Sequence, residues 1–207
     1  MPLIKTQKRK NYTYALWKIE ESMAELLRRL QATKQELVEI HNLKNIKRRK
    51  QNIAARLTLN HLSNKKEILC YSKYGKPLCR SFKHISISHS NEYCMLVVSD
   101  NEIGVDIQHK HDNIKKISTK FLNNSEKLRI NKTKSMTELH FIWSAKEAIY
   151  KTLDNQPCSF KDSINIPAIG INMKTTGCYK HNNNEIKYNL QCEMMDNYFI
   201  VIANQKL

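Results

Sequence analysis

The chain has 207 residues, with 35 Lys and Arg against 19 Asp and Glu, a formal net charge of +16. That length suffices to bury roughly 70% of the unfolded surface without a disulfide or metal staple, and no stretch approaches the roughly 18 consecutive apolar residues that a membrane span needs. Cys70, Cys79, Cys94, Cys158, Cys178 and Cys192 are widely spaced, and the opening residues lack the apolar core of a signal peptide, so free thiols in a cytoplasmic protein with no membrane contact are expected.

The first predicted element is a strand over Tyr12 to Trp17. It is followed by a helix in which Ile19, Met23, Leu26, Leu27 and Leu30 recur at helical spacing. A second helix is expected from Asn45 to Leu62, with Ile46, Ile53, Leu57 and Leu62 toward the core and Lys47, Arg48, Arg49 and Arg56 facing elsewhere. Between Glu39 and Glu67 lie eight Lys or Arg residues and no carboxylate. General enrichment in Lys, Asn and Ile explains part of the charge but not that clustering, and a basic segment implies an anionic partner. A Gly-Lys-Pro turn then precedes strands at His84 to Ser88, Tyr93 to Ser99 and Glu102 to Gln108, the last two joined by a hairpin turn at Asp100-Asn101.

The third of these strands carries an acid. Alternation sends Ile103, Val105 and Ile107 to one face and Gly104, Asp106 and Gln108 to the other. Beyond it a helix near Ile114 to Leu122 and a long helix from Ser135 to Leu153 are expected. Strands follow at Ile164 to Ile166, Ile169 to Met173, Ile186 to Cys192 and Tyr198 to Ala203, the last pair turning at Asp196-Asn197. On a helical wheel Leu139, Ile142, Trp143, Ile149, Tyr150 and Leu153 form an apolar stripe interrupted by Lys146, while His140, Ser144, Glu147 and Lys151 form a polar one. Each half thus repeats the same α+β grammar of helices and mainly antiparallel strands, which predicts two similar lobes with a cleft between them.

Lys146 in an apolar stripe either snorkels or meets an anion, and Glu147 with Lys151 reads equally as a surface ion pair. Taken with Asp106, the Gly-Lys-Pro turn and the Ser-His strand end, they match what a metal-bound diphosphate needs: carboxylates for a hard cation such as Mg²⁺ and cationic side chains for the remaining phosphate charge. Neither G-x-x-x-x-G-K-[ST] nor G-x-G-x-x-G occurs, so nucleotide hydrolysis and dinucleotide binding have no support.

In order and spacing, "YGKP" at Tyr74 to Pro77, "ISISHS" at Ile85 to Ser90, "GVDIQ" at Gly104 to Gln108, "FLNNSE" at Phe121 to Glu126 and "WSAKEAIYK" at Trp143 to Lys151 resemble the 4'-phosphopantetheinyl transferases of the surfactin-synthetase type. The resemblance implies two tandem pseudo-symmetric α+β lobes with the active site in the cleft. Residues 1–100 would hold the coenzyme A-binding helix and the Gly-Lys-Pro and Ser-His motifs; residues 101–207 would hold the metal strand and the Trp-x-x-Lys-Glu helix.

It further implies a Mg²⁺-dependent transfer of 4'-phosphopantetheine from coenzyme A to a serine of an acidic acyl, peptidyl or polyketide carrier protein, releasing adenosine 3',5'-bisphosphate. Asp106 and Glu147 match the metal ligands. Gly75, Lys76, Ser88, His89, Lys146 and Lys151 match coenzyme A contacts, and Arg48 and Arg56 fall in the helix that reaches the 3'-phosphate. Glu126 matches a glutamate near the site. Catalysis would rest on Asp106, Glu147 and Lys151, with Glu147, a metal-bound water or Lys151 as base.

Gln108 stands where the family often has Glu. Its amide oxygen can ligate Mg²⁺ but brings no charge, which leaves a third protein ligand open. A monomer with no nucleic-acid partner is expected. The rival reading, a basic nucleic-acid-binding protein, finds no helix-turn-helix, zinc-finger or RNP-like pattern. An inactive relative that binds coenzyme A or carriers would be suggested by Gln108 alone.

Overall fold

The computed structural model describes residues 3–155, 157–170 and 172–206. They form two compact units, residues 1–100 and 101–207, each an antiparallel sheet with helices, so the fold class is α+β.

In the first unit β1 (Leu3–Lys8) and β2 (Tyr12–Lys18) are followed by α1 (Met23–Leu30), α2 (Lys34–Asn42) and α3 (Ile46–Ser63), then β3 (Cys70–Tyr71), β4 (Pro77–Leu78), β5 (His84–Ser90) and β6 (Tyr93–Ser99). The main sheet runs β1-β2-β6-β5, while β3 and β4 pair separately as a short ribbon. Ser22 and Thr33 start α1 and α2 with capping boxes completed by Glu25 and Glu36, each satisfying two backbone donors at once. The apolar face of α3 packs Ile53, Ala54 and Leu59 against Trp17, Leu96 and Val98 of the sheet. Ile46, expected in that core, is instead 63% exposed at the first turn.

Arg56 departs further from expectation. Its side chain is 1% exposed, and its guanidinium donates to Glu36 at 3.2 Å, Glu39 at 2.5 Å, Asn52 Oδ1 at 3.0 Å and the Leu69 carbonyl at 3.4 Å. The expectation that it meets a coenzyme phosphate is corrected. A buried guanidinium needs local carboxylates, and α2 supplies them.

In the second unit β7 (Ile103–His109) leads to α4 (Ile114–Phe121), α5 (Asn124–Thr133) and α6 (Met136–Tyr150), then β8 (Ile164–Asn165), β9 (Lys174–His181), β10 (Asn184–Met195) and β11 (Tyr198–Gln205). The sheet order is β7-β11-β10-β9-β8. The hairpin expected at Asp100-Asn101 is therefore absent: β6 pairs with β2 and β5, and β7 pairs with β11. The turn at Asp196-Asn197 does join its strands, with Met195 opposite Tyr198. No strand begins at Ile169; the segment before β9 is irregular, position 171 lies outside the described residues, and the strand starts at Lys174.

Helix α6 packs on β7 and β11. It is buried almost all round, Thr137 and Tyr150 excepted, and the stripe read as polar turns out to face the sheet: His140 stacks on Phe199 with ring centroids 4.5 Å apart, and Lys151 reaches β7. The approach is very close at Gly104, where a Cβ would lie 1.8 Å from the Ala148 carbonyl oxygen. Only glycine permits that contact.

Candidate functional site

The close approach of β7 to α6 determines which side chains meet. Asp106 shares a strand face with Gly104, so it too is directed at α6, and it is buried opposite Val201 of β11. Lys151, the C-cap residue of α6, donates from Nζ to Asp106 Oδ1 at 2.9 Å and to the Val105 carbonyl at 2.8 Å. An ammonium is favoured at that end of a helix by the backbone dipole.

Glu147 lies one turn earlier. Its carboxyl is pushed up to about 7, first by burial and then by the negative charge of Asp106, with Lys151 opposing both. Two carboxylates that repel one another across a half-dry site are arranged to accept a cation.

Gln108 follows on the same face. Its amide Nε2 meets His111 Nε2 at 2.7 Å; with the neutral ring nitrogen as acceptor, the amide nitrogen donates and the amide oxygen is left as the atom with metal-ligand chemistry. The His111 backbone N–H in turn donates to His140 Nε2 at 3.4 Å. Fully buried, His140 has its pKa lowered to about 4, chiefly by desolvation, so the ring is neutral near pH 7. Among the described residues no group of three or more His, Cys, Asp or Glu could hold a metal ion. The donors present are thus two carboxylates and one amide oxygen. That all-oxygen set fits a hard cation such as Mg²⁺ that takes its other ligands from phosphate and water.

Lys146 was expected at a coenzyme phosphate and is corrected. It is 0% exposed, and its ammonium donates to the carbonyls of Phe121, Phe160 and Ile164 at 2.7, 2.6 and 2.8 Å and pairs with Glu126 at 2.8 Å. Glu126 also accepts from the backbone N–H groups of Asn123 and Ile166. This tie fastens α4, α5 and the segment around β8 to α6. It supports the helix that carries Glu147.

In the first unit the structure brings together residues far apart in sequence. Arg48 Nη1 lies 3.3 Å from His89 Nδ1. Both line a cavity of about 280 Å³ with Asn45, Lys47, Gln51, Ser90 and Asn91. Lys47 donates to Asn91 Oδ1 at 3.0 Å and Gln51 to the Asn91 carbonyl at 2.9 Å. The wall contains two permanent cations, a histidine and no carboxylate, a composition suited to an anion. Sequence reasoning missed Lys47, Gln51 and Asn91; helical spacing from Arg48 to Gln51 was the available signal. Ser88 is buried on the face of β5 opposite to His89, since neighbours alternate, so the two are not brought together.

Lys76 sits in the turn between β3 and β4. Ser72 Oγ accepts from the backbone N–H groups of Tyr74 and Lys76, the Lys76 carbonyl accepts from Ser72 N–H, and Gly75 takes φ +84°, a left-handed conformation that glycine adopts without strain.

Comparison with known proteins adds a family. Residues 102–202 match the model of the 4'-phosphopantetheinyl transferase superfamily, a span that contains Asp106, Gln108, Glu126, Lys146, Glu147 and Lys151. The chain is also 24% identical over 141 residues to the 4'-phosphopantetheinyl transferase gsp of Aneurinibacillus migulanus, a match over 67% of this chain and 58% of that protein. The chain thus spans less than two thirds of that relative's length. No helix among the described residues is long and apolar enough to cross a membrane. The family match lies over Asp106, Glu147 and Lys151, so it is in the second unit that this chain is similar to the 4'-phosphopantetheinyl transferase superfamily.

Proposed function

We propose that the protein transfers the 4'-phosphopantetheine group of coenzyme A to a serine hydroxyl of an apo carrier protein. The observation that carries this reading is the grouping of Asp106, Glu147 and Lys151 where β7 meets α6. The serine oxygen forms a bond to the phosphorus on the pantetheine side of the diphosphate, the bond from that phosphorus to the bridging oxygen breaks, and adenosine 3',5'-bisphosphate leaves with the electron pair. Asp106 and Glu147, with the Gln108 amide oxygen, would hold Mg²⁺, which when bound supplies charge stabilisation to the diphosphate.

The chain's own groups do the rest. Lys151 holds Asp106 and places a positive charge beside it. Glu147, a metal-bound water or Lys151 would take the serine proton. Arg48 and His89, now with Lys47, serve phosphate groups of the coenzyme, as does Lys76. Arg56 and Lys146 serve the scaffold. A nucleic-acid-binding role leaves the carboxylates and their lysine without a task.

One incubation with coenzyme A, Mg²⁺ and an apo acyl carrier protein, read by intact mass, tests the proposal. The expected product is carrier heavier by one phosphopantetheine group, lost in Asp106→Asn and Glu147→Gln proteins that keep the wild-type circular dichroism. Failure to modify any of a panel of acyl, peptidyl and polyketide carriers refutes it.

A further inference from the structure

Burial alternates along the approach to β3. Glu67 and Leu69 are buried, Ile68 is 64% exposed and Cys70 is exposed. Cys70 pairs with Leu78, itself 45% exposed, so one face of the β3–β4 ribbon presents Ile68, Cys70 and Leu78 to solvent. At the turn Tyr74 is half exposed, with the Lys73 ammonium 4.8 Å from its ring centroid. Ten large apolar side chains are exposed among the described residues, and four of them, Ile68, Tyr71, Tyr74 and Leu78, fall in this one short segment. Single exposed apolar residues are ordinary, whereas a cluster rimmed by polar groups marks a contact surface.

The charge along this segment is mostly of one sign, and the half-exposed Glu39 of α2, which couples to Tyr71, is neutralised by Arg56. From Lys65 to Lys83 there are six Lys or Arg residues and a single carboxylate, Glu67. That carboxylate is turned inward, accepting from Ser81 Oγ at 2.5 Å and the Arg80 backbone N–H at 3.3 Å, with Lys65 3.3 Å away. Lys73, Arg80 and Lys83 are exposed. The segment therefore offers an apolar stripe, a cationic border and no outward carboxylate.

We infer that the outer face of the β3–β4 ribbon is the docking surface for the acidic carrier protein, Ile68 and Leu78 receiving its apolar side chains and Lys73, Arg80 and Lys83 its carboxylates. The inference rests on the transfer reading above. A second copy of the chain is a poor occupant, because the ribbon has no outward carboxylate of its own, and nearby Glu39 is already paired with Arg56, which leaves little to set against its cations in a self-complementary contact. A carrier has a further reason to sit here: the same ribbon holds Lys76, assigned to the coenzyme, so a carrier docked on it is tethered to the element that binds the donor.

The test uses the full chain with Leu78→Glu, Arg80→Glu and the double variant, with Leu78→Ser and Arg80→Gln as milder changes should the charged ones fail to fold. Val38→Glu, at an exposed apolar position on α2, is the control. With apo acyl carrier protein as the probe, the double variant should raise the carrier KM by about tenfold or more, equivalent to ~1.4 kcal/mol. The coenzyme A affinity, read by calorimetry, should stay within about twofold, and Val38→Glu should change neither. An unchanged carrier KM alongside normal transfer overturns the docking surface and leaves the transfer reading standing. A wild-type protein that modifies no carrier overturns both. Binding to phosphatidylserine vesicles that the double variant loses while the carrier KM holds assigns the face to lipid and refutes the inference, as does a dimer in sedimentation that dissociates on the same substitutions.

Discussion

Replacing Lys146 with methionine separates a support from a ligand contact. In the folded chain its ammonium is fully buried against three carbonyls and Glu126. Methionine fills much of the same volume but leaves Glu126 as a buried anion facing two backbone N–H groups. Removing one partner of a buried pair costs about 3–5 kcal/mol, much of it the penalty of the charge left behind. For a unit of this size each kcal/mol moves the melting midpoint by roughly 4–8 °C, so a fall of at least ~10 °C is expected. Urea unfolding followed by circular dichroism measures the loss. Glu126→Gln should lose a comparable amount, and the double variant less than the two losses added, because the second change removes the orphaned charge. Coenzyme A titrated calorimetrically into Lys146→Met below its transition should bind with near wild-type affinity. An unchanged urea midpoint together with weakened coenzyme binding would refute the structural assignment and return Lys146 to the phosphate site.

Arg56→Met should likewise lower the melting midpoint by leaving buried Glu36 with only the Lys66 ammonium 3.8 Å away as a counter-charge, with little effect on coenzyme affinity, whereas Arg48→Ala should weaken coenzyme binding at nearly constant stability; the reverse pattern in calorimetry and melting would overturn both assignments. Gly104→Ala drives a methyl into the Ala148 backbone at 1.8 Å, forcing β7 from α6, so soluble yield and melting temperature should collapse, while Gly75→Ala, in open space at φ +84°, should cost only about 1 kcal/mol; equal melts for the two would contradict the packing described. Because the carboxyl of Glu147 is pushed up to about 7, above its unfolded value of 4.5, the folded state holds this proton more tightly, and the group's contribution to stability is greatest at low pH and withdrawn as pH rises through that window. A divalent cation competes with the proton, so Mn²⁺ affinity measured by calorimetry should rise between about pH 6 and 8 with release of a proton on binding. Affinity flat across that range would remove Glu147 from the ligand set.

The strand carrying Asp106 and the helix carrying Glu147 were legible from alternation and helical spacing, because both signals are local. What periodicity left unread was the partner. Lys146 breaks an apolar stripe and Arg56 reads as one of an outward basic set, and neither pattern reports that Glu126 and Glu36 lie opposite. The helices that bring those acids, α2 and α5, carried a readable start signal: Thr33 with Glu36 and Asn123 with Glu126 are capping boxes. Those start signals place both helices and with them the acids that draw Arg56 and Lys146 inward. Asp100-Asn101 misled for a related reason. A turn dipeptide specifies a local reversal, while strand pairing is decided by remote partners, and β7 finds its partner in β11.

That pairing has a consequence for synthesis. The strand bearing Asp106 is the first of its unit to leave the ribosome, yet the neighbour that completes its hydrogen bonds spans Tyr198–Gln205, the last strand of the unit. Until that neighbour emerges, β7 has an open edge of unpaired amides and carbonyls, the surface most prone to pairing with the wrong chain. Asp106 and Glu147 are therefore brought to their final geometry only once Tyr198–Gln205 has emerged, and nascent chains stalled before residue 198 should depend on chaperones and bind no divalent cation.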